Sequence, residues 1–356
     1  MPRRRDSRTL TGVVPVLAGL LAAAVLCGCG AGPTAAGPTG SPANPTSAAA
    51  SEATATSPTP AATPTLAAVT SVTATTLAVR LPAPASRVVA LPAGDHVLLL
   101  GGLVAGSTSA QVLALDPAAG TVATTGHLPH ATHDAGGAVL GGSAFVLGGG
   151  VQASADWVQT VPVAGGSGTL VGHLPQPRSD HVVASDGTTA YVVGGYAGGP
   201  ELTDVLATTD GTTFRVVAHL VTGVRYAAAA LVDGALWVVG GEHGGAQVDT
   251  VQRVDLATGA ASVVGHLPAP LSHATATVLD GSLLVVGGLT AGKRVDAIER
   301  IDATGAPSLV GHLPGAVSDT AVAVLRDAAY VVGGEAAKGT LDSVVRLTTG
   351  PASATP

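Results

Sequence analysis

A pair of glycines closing a short apolar run returns six times along this chain, as in "SLLVVGG" (282–288). The first glycine of each pair is Gly101, Gly148, Gly194, Gly240, Gly287 or Gly333, at spacings of 47, 46, 46, 47 and 46 residues. Nineteen residues before each glycine an "LP" pair ends, at Pro82, Pro129, Pro175, Pro268 and Pro314, with Val221 in the fourth copy. Repeats of this length are single supersecondary units that cannot bury an apolar face alone, so neighbours must stack.

Within a unit the apolar runs are short and alternate with turn residues. "HATATVL" and "SLLVVGG" are separated by Asp280-Gly281, a favoured type I′ hairpin pair. "AIERID", "ATG" and "SLVGHLP" follow. Four strands of about five residues per unit match a β-propeller blade, so the spacing predicts an all-β, six-bladed propeller with four antiparallel strands per blade. The last copy stops at "TTGPASATP" without a fourth strand, whereas "VTATTLAVRLP" (72–82) aligns with fourth strands but has no first three. The amino-terminal strand is therefore expected to complete the sixth blade and remove an open sheet edge.

The double glycine after an apolar run, the terminal "LP" and an aromatic three residues before the glycines in four copies (Phe145, Tyr191, Trp237, Tyr330) resemble kelch repeats over residues 72–349. One feature departs from that pattern. The place seven before the final proline, usually Trp in kelch units, holds Thr75, Val122, Gly168, Phe214, Ala261 and Pro307. With aromatics at 2%, the blades are expected to pack on small and β-branched residues.

The amino terminus carries a different message. Arg3, Arg4 and Arg5 precede an apolar run too short for a comfortable membrane span, and the run ends in "LCGC". Leu26 and Gly28 before Cys29 resemble a bacterial lipoprotein signal, which implies a signal peptide over 1–28 and lipidation of Cys29. The Pro/Thr/Ala/Ser-rich stretch 29–68 reads as a disordered tether, 69–350 as the propeller and 351–356 as a disordered tail. The expected location is the outer face of the cell membrane, with the lipid as the only membrane attachment; the alternative is simple secretion. Beyond residue 28 the chain has 12 basic and 22 acidic side chains, a balance that does not favour nucleic acid. Both cysteines, Cys27 and Cys29, precede the repeats, so no disulfide or thiolate metal site is expected there.

Strand alternation sorts the tight turns onto one face of the ring. The opposite face takes the longer links after each "GG" and the crossings after each "LP", where binding usually resides. Five places beyond each "LP", where the innermost strand begins, stand Arg87, Asp134, Asp180, Tyr226, His273 and Asp319. His133 and Arg225 lie one step earlier in two copies, and Tyr196, Glu242, His243 and Glu335 follow the glycines. These twelve are the candidate ligand-binding residues round a channel mouth.

His127, His173, His219, His266 and His312 recur at the end of outer strands, too far apart across blades to share an ion, and are expected to bond loops. Asp204, Asp249, Asp296 and Asp342 are expected to fix the loop before the third strand. No nucleophile-elbow, zinc-protease or phosphate-loop motif is present, no galactose-oxidase-type Tyr–Cys site can form, and no cofactor, metal or catalytic residue is assigned. The reading is a binding module for a wall glycan, small molecule or extracellular protein. The alternative is a sugar-modifying enzyme using the mouth residues, as bacterial kelch-fold sialic-acid mutarotases do.

Overall fold

A computed structural model describes residues 69–350; the expected signal peptide (1–28), lipidation site Cys29, tether (29–68) and tail (351–356) lie outside the described residues. The described residues hold no helix and form six four-stranded antiparallel sheets together with short ribbons. The fourth sheet is typical: Ala228–Val232, Ala235–Val239, Thr250–Asp255 and Ala261–His266 pair in that order. First strands of consecutive sheets touch one another all the way round, so the six blades close into a ring. Its last member consists of Ala321–Leu325, Ala328–Val332, Ser343–Thr349 and, from the other end of the described chain, Val72–Arg80. Val72 pairs with Thr349 and Arg80 with Ser343, which is the closure expected from the sequence.

The double glycine has a physical cause. The first glycine of every pair has φ between 60° and 66°, and a Cβ there would stand 2.1–2.6 Å from a carbonyl oxygen of the next blade. The second glycine donates its N–H to that same carbonyl: Gly102 to Thr132, Gly149 to Arg178, Gly195 to Val224, Gly241 to Leu271, Gly288 to Val317 and Gly334 to Ala85, at 2.8–2.9 Å. Only a residue without Cβ permits this left-handed backbone at such close approach. Six identical latches thus join six blades.

Between each pair of neighbouring blades lies one apolar cluster, built mainly from Ala, Val and Leu. The aromatics before the glycines enter these layers, and Trp237 is fully buried in the layer between the fourth and fifth blades. The leucine of every "LP" is buried, and its N–H bonds the residue ahead of a third strand, as Leu267 does to Asp249 at 2.7 Å. Each outer strand also carries a bulge where it pairs with the third strand. The glycine before the recurrent histidine lies there against the neighbouring blade; a Cβ on Gly265 would meet the Gly305 oxygen at 2.4 Å. The tight turns also match expectation, since Asp233-Gly234 and Asp280-Gly281 have positive φ at both residues, as a type I′ turn requires.

Removing Val72–Arg80 opens the ring at the sixth blade, and the truncated chain should lose its cooperative unfolding transition; an unchanged melting curve would refute closure. Gly240→Ala places a methyl 2.2 Å from the Leu271 oxygen at φ 62° and should cost on the order of 3 kcal/mol by chemical denaturation. Gly244→Ala, at φ 58° in open space, should cost only about 1 kcal/mol.

Candidate functional site

The six residues that open the innermost strands share one unusual conformation. Arg87, Asp134, Asp180, Tyr226, His273 and Asp319 all have φ between 52° and 59°, the left-handed region that side chains with Cβ disfavour. The reason lies in their backbone partners. Asp180 donates its N–H to Asp134 O, Tyr226 to Asp180 O, His273 to Tyr226 O, Asp319 to His273 O and Arg87 to Asp319 O, at 2.8–3.0 Å. Five peptide hydrogen bonds therefore run blade to blade round the axis, and the turn needed to make them directs all six side chains into one axial cavity of about 220 Å³. Strain of about 1–3 kcal/mol per residue persists only where surrounding contacts over-determine it.

The side chains form a second ring inside the first. Arg87 Nη1 donates to Asp134 Oδ2 at 3.0 Å, and its Nε lies 3.4 Å from Asp319 Oδ1. Asp319 Oδ1 stands 2.7 Å from His273 Nδ1, and Ser318 Oγ donates to its other oxygen at 2.6 Å. Burial alone would raise the Asp319 carboxyl, but His273, Ser318 and Arg87 hold it below the usual range. The His273 and Tyr226 rings stack with centroids 3.9 Å apart. The Tyr226 hydroxyl is hydrogen-bonded to Asp180 and is pushed up by burial and by Asp180 and Asp134, so it stays protonated and donates. Five of the six neighbouring pairs are attractive.

The sixth pair is Asp134 and Asp180, and it repels. Burial first, and then the Asp134 charge, push the Asp180 carboxyl up to about 6, against the opposing pull of Tyr226, Arg225 and Arg87. Arg87 is raised too: burial would lower its guanidinium, but Asp134 and Asp319 outweigh that. The ring therefore has one like-charge step, between the second and third blades.

The rim differs at that same step. After the double glycines, the first, fourth, fifth and sixth blades each raise a two-stranded ribbon, such as Glu242–His243 with Ala246–Gln247. The second and third blades carry loops without such a ribbon; that of the second closes on itself through a single bridge between Gly150 and Ser154. A cavity of about 300 Å³ fills this notch, lined by Arg87, Asp134, Asp180, Tyr196, Arg225, Tyr226 and the loop 150–154.

The remaining candidates surround the mouth at a second level. Arg225 lies over both Tyr196 and Tyr226, 5.2 and 5.3 Å from the ring centroids, and pairs with Glu242 at 3.3 Å. Glu242 also accepts from Ser272 and lies 3.5 Å from His273 Nε2. Glu335 takes Arg294 at 3.0 Å and Ser86 at 3.3 Å. His133 bonds Thr108 at 3.0 Å and lies 3.5 Å from Asp134. His243 is the exception. It stands half exposed on the rim, bonded to Gly223 O and near Glu201, outside the cavities at the mouth.

Several site residues escaped the sequence reading. Glu201 pairs with Arg225 and His243, and Gln247 and Arg294 reach across to the next blade. The last two, with Thr108, stand seven places after a first glycine, so the repeat register held a signal for them. Arg178, fully buried, holds Asp204 through two nitrogens at 2.9 and 3.3 Å, two residues before Asp180. Beside it His181 is pushed down to about 3 by burial and then by Arg178, and is neutral. Asp204 thus serves a buried arginine rather than the outer loop. The other aspartates do serve that loop, together with Asp156: His173 meets Asp156, His266 meets Asp249 and His312 meets Asp296 at 3.1–3.2 Å, and Arg80 faces Asp342 at 3.8 Å. Among the described residues no group of three His, Cys, Asp or Glu is arranged to hold a metal ion.

No protein-family model matches this chain, and no curated protein sequence matches it. A solved structure described as that of YjhT matches with a TM-score of 0.66 at 16% identity, covering 77% of this chain and 97% of that one. At this identity the likeness concerns the fold alone: the described chain is an all-β propeller of four-stranded antiparallel sheets.

The Asp180 carboxyl should titrate near pH 6 by carboxyl-carbon NMR. Its folded value lies above the unfolded one, so the folded state holds the extra proton between about pH 4 and 6. Stability should fall as pH rises through that window and stay flat above it. Asp180→Asn should remove the slope.

Proposed function

We propose that this propeller binds a neutral, polyhydroxylated ligand at its channel mouth, with ligand hydroxyls donating to Asp134 and Asp180. The observation that carries this reading is the single repulsive step of the side-chain ring, which coincides with the notch in the rim. Beyond the single bonds from Arg87 and Tyr226, two carboxylates side by side keep acceptor capacity to spare, and sugar hydroxyls fill it with strong charge-assisted bonds. The charge balance opposes an anionic ligand, because Arg87, Arg225 and Arg294 are each matched by carboxylates and acidic groups are in surplus. A glycan or small polyol fits this chemistry better than a protein surface, since the mouth is concave and ringed by strained, pre-positioned polar groups. The lipoprotein-like signal and Cys29 support placing this site outside the cell, on a domain held to the membrane by its lipid.

A second reading is favoured by Asp180 itself. A carboxyl near pH 6 hydrogen-bonded to a tyrosine hydroxyl is suited to proton transfer on a bound sugar. Anomer exchange followed by NMR, across neutral hexoses and sialic acids, should then accelerate as pH rises through 6 and be lost in Asp180→Asn. Exchange at the uncatalysed rate for the whole panel would leave binding as the only function of the mouth.

Asp180→Asn separates function from folding. It removes a repulsion, so the melting temperature at pH 7.5 should rise, while affinity for neutral sugars should fall tenfold or more by calorimetry. A variant that keeps its affinity would refute the proposed contact.

A further inference from the structure

The notch does not end at the mouth. The loop Val151, Gln152, Ala153 and Ser154, which lines the cavity between the second and third blades, also lines a second cavity of about 380 Å³. The outer one continues past Asp156 and Pro177 to Trp157. Each is at the lower end of the size range of ligand pockets, about 300–1,000 Å³. Trp157 is partly exposed, and its indole is backed by His130, stacked with centroids 4.3 Å apart and planes 17° apart. The His130 N–H is itself fixed by the fully buried Gln159 at 2.7 Å. An aromatic face held in place in this way, with an amide and a carboxylate nearby, is a platform for the C–H face of a sugar ring. A lone monosaccharide at the mouth would not reach it.

We infer that the mouth receives the end of a neutral oligosaccharide whose next units leave through the notch and lie across the second blade, with the first or second of them stacked on Trp157. This rests on the mouth binding sugar hydroxyls, as proposed above. The directionality follows from the rim: two-stranded ribbons stand on the first, fourth, fifth and sixth blades, whereas the second and third carry loops, and both cavities border the loop of the second. Ser154 stands at the junction of the two cavities, bonded to Ser179 Oγ at 3.0 Å and to Tyr196 O at 2.9 Å. These bonds tie the loop that borders both cavities to the third blade.

Calorimetry on the full chain at pH 7.5, with cello-, malto- and chito-oligosaccharides of one to six units, tests the inference. In the series that binds, affinity should rise at least tenfold between one and three units and then level off. Trp157→Ala should abolish that gain and change monomer affinity less than twofold, and Trp157→Phe should keep most of it. A readout that needs no substitution comes from the two tryptophans of the chain, Trp237 being fully buried. The trimer, but not the monomer, should protect indole fluorescence from iodide. Monomer binding with no gain in length, or a gain that survives Trp157→Ala, overturns the extended site and leaves the mouth reading intact. Failure of every member of every series to bind overturns both.

Discussion

The hydrogen bond from the second glycine of each pair to a carbonyl of the next blade is the contact on which the remaining architecture depends. A propeller has no helix and no central layer to hold its sheets, so each sheet must be held by its two neighbours. Apolar layers of Ala, Val and Leu supply most of the driving force but little direction. The latch supplies direction, because a backbone hydrogen bond of 2.8–2.9 Å fixes the end of one blade's second strand against the next blade's crossing. Each is worth only about 0.5–1.5 kcal/mol net. All six form together only when the ring closes, and closure needs Val72–Arg80 beside Ser343–Thr349. The absence of the tryptophan common in kelch units is tolerable for the same reason: register is set by backbone, and the layers need only the right volume.

The mouth is a consequence of the same packing. Once the crossing is pinned by the latch, the residue two places further on must turn left-handed to bond its neighbour round the axis. That residue then points its side chain at the axis whatever its identity, as Arg87, Tyr226 and Asp180 all do. The geometry is generic and the chemistry is local. Asp and His tolerate the left-handed region better than most residues, whereas Arg and Tyr have no such preference. Their presence reflects the side-chain ring, in which Tyr226 stacks on His273 and Arg87 joins Asp134 to Asp319.

Much of this was legible because period and alternation are backbone properties. The repeat at 46–47 residues specified the blade, and the orphan strand at 72–80 specified closure. The polar residues five beyond each "LP" marked the mouth. What stayed hidden were relations between blades. Nothing in "RSD" or "HDA" shows that Asp134 and Asp180 become neighbours, or that Arg178 folds back on Asp204. Asp204 illustrates the limit, since it stands one place out of register with Asp249 and Asp296 and takes a different partner. His243 illustrates another: it directly follows the mouth residue Glu242, but its own ribbon holds it on the rim.

A ring of near-identical units offers a ligand six equivalent approaches, so any preference must come from units that differ. The differences here gather in two adjacent blades. The second and third lack ribbons, carry the like-charged pair, and contain the buried Arg178 with its neutral neighbour His181. These features support one another. Two carboxylates near each other would relax apart on a loose crossing, since each gains by moving towards water. The crossing that carries Asp180 is not loose: Arg178, two residues earlier, is bound bidentately to Asp204 and also donates to Gly194 O at 3.1 Å. The backbone ring then ties Asp180 N–H to Asp134 O at 3.0 Å. The repulsion is consequently expressed as a raised Asp180 carboxyl rather than as movement, and hydrogen-bond donors arriving through the notch meet acceptors already in place.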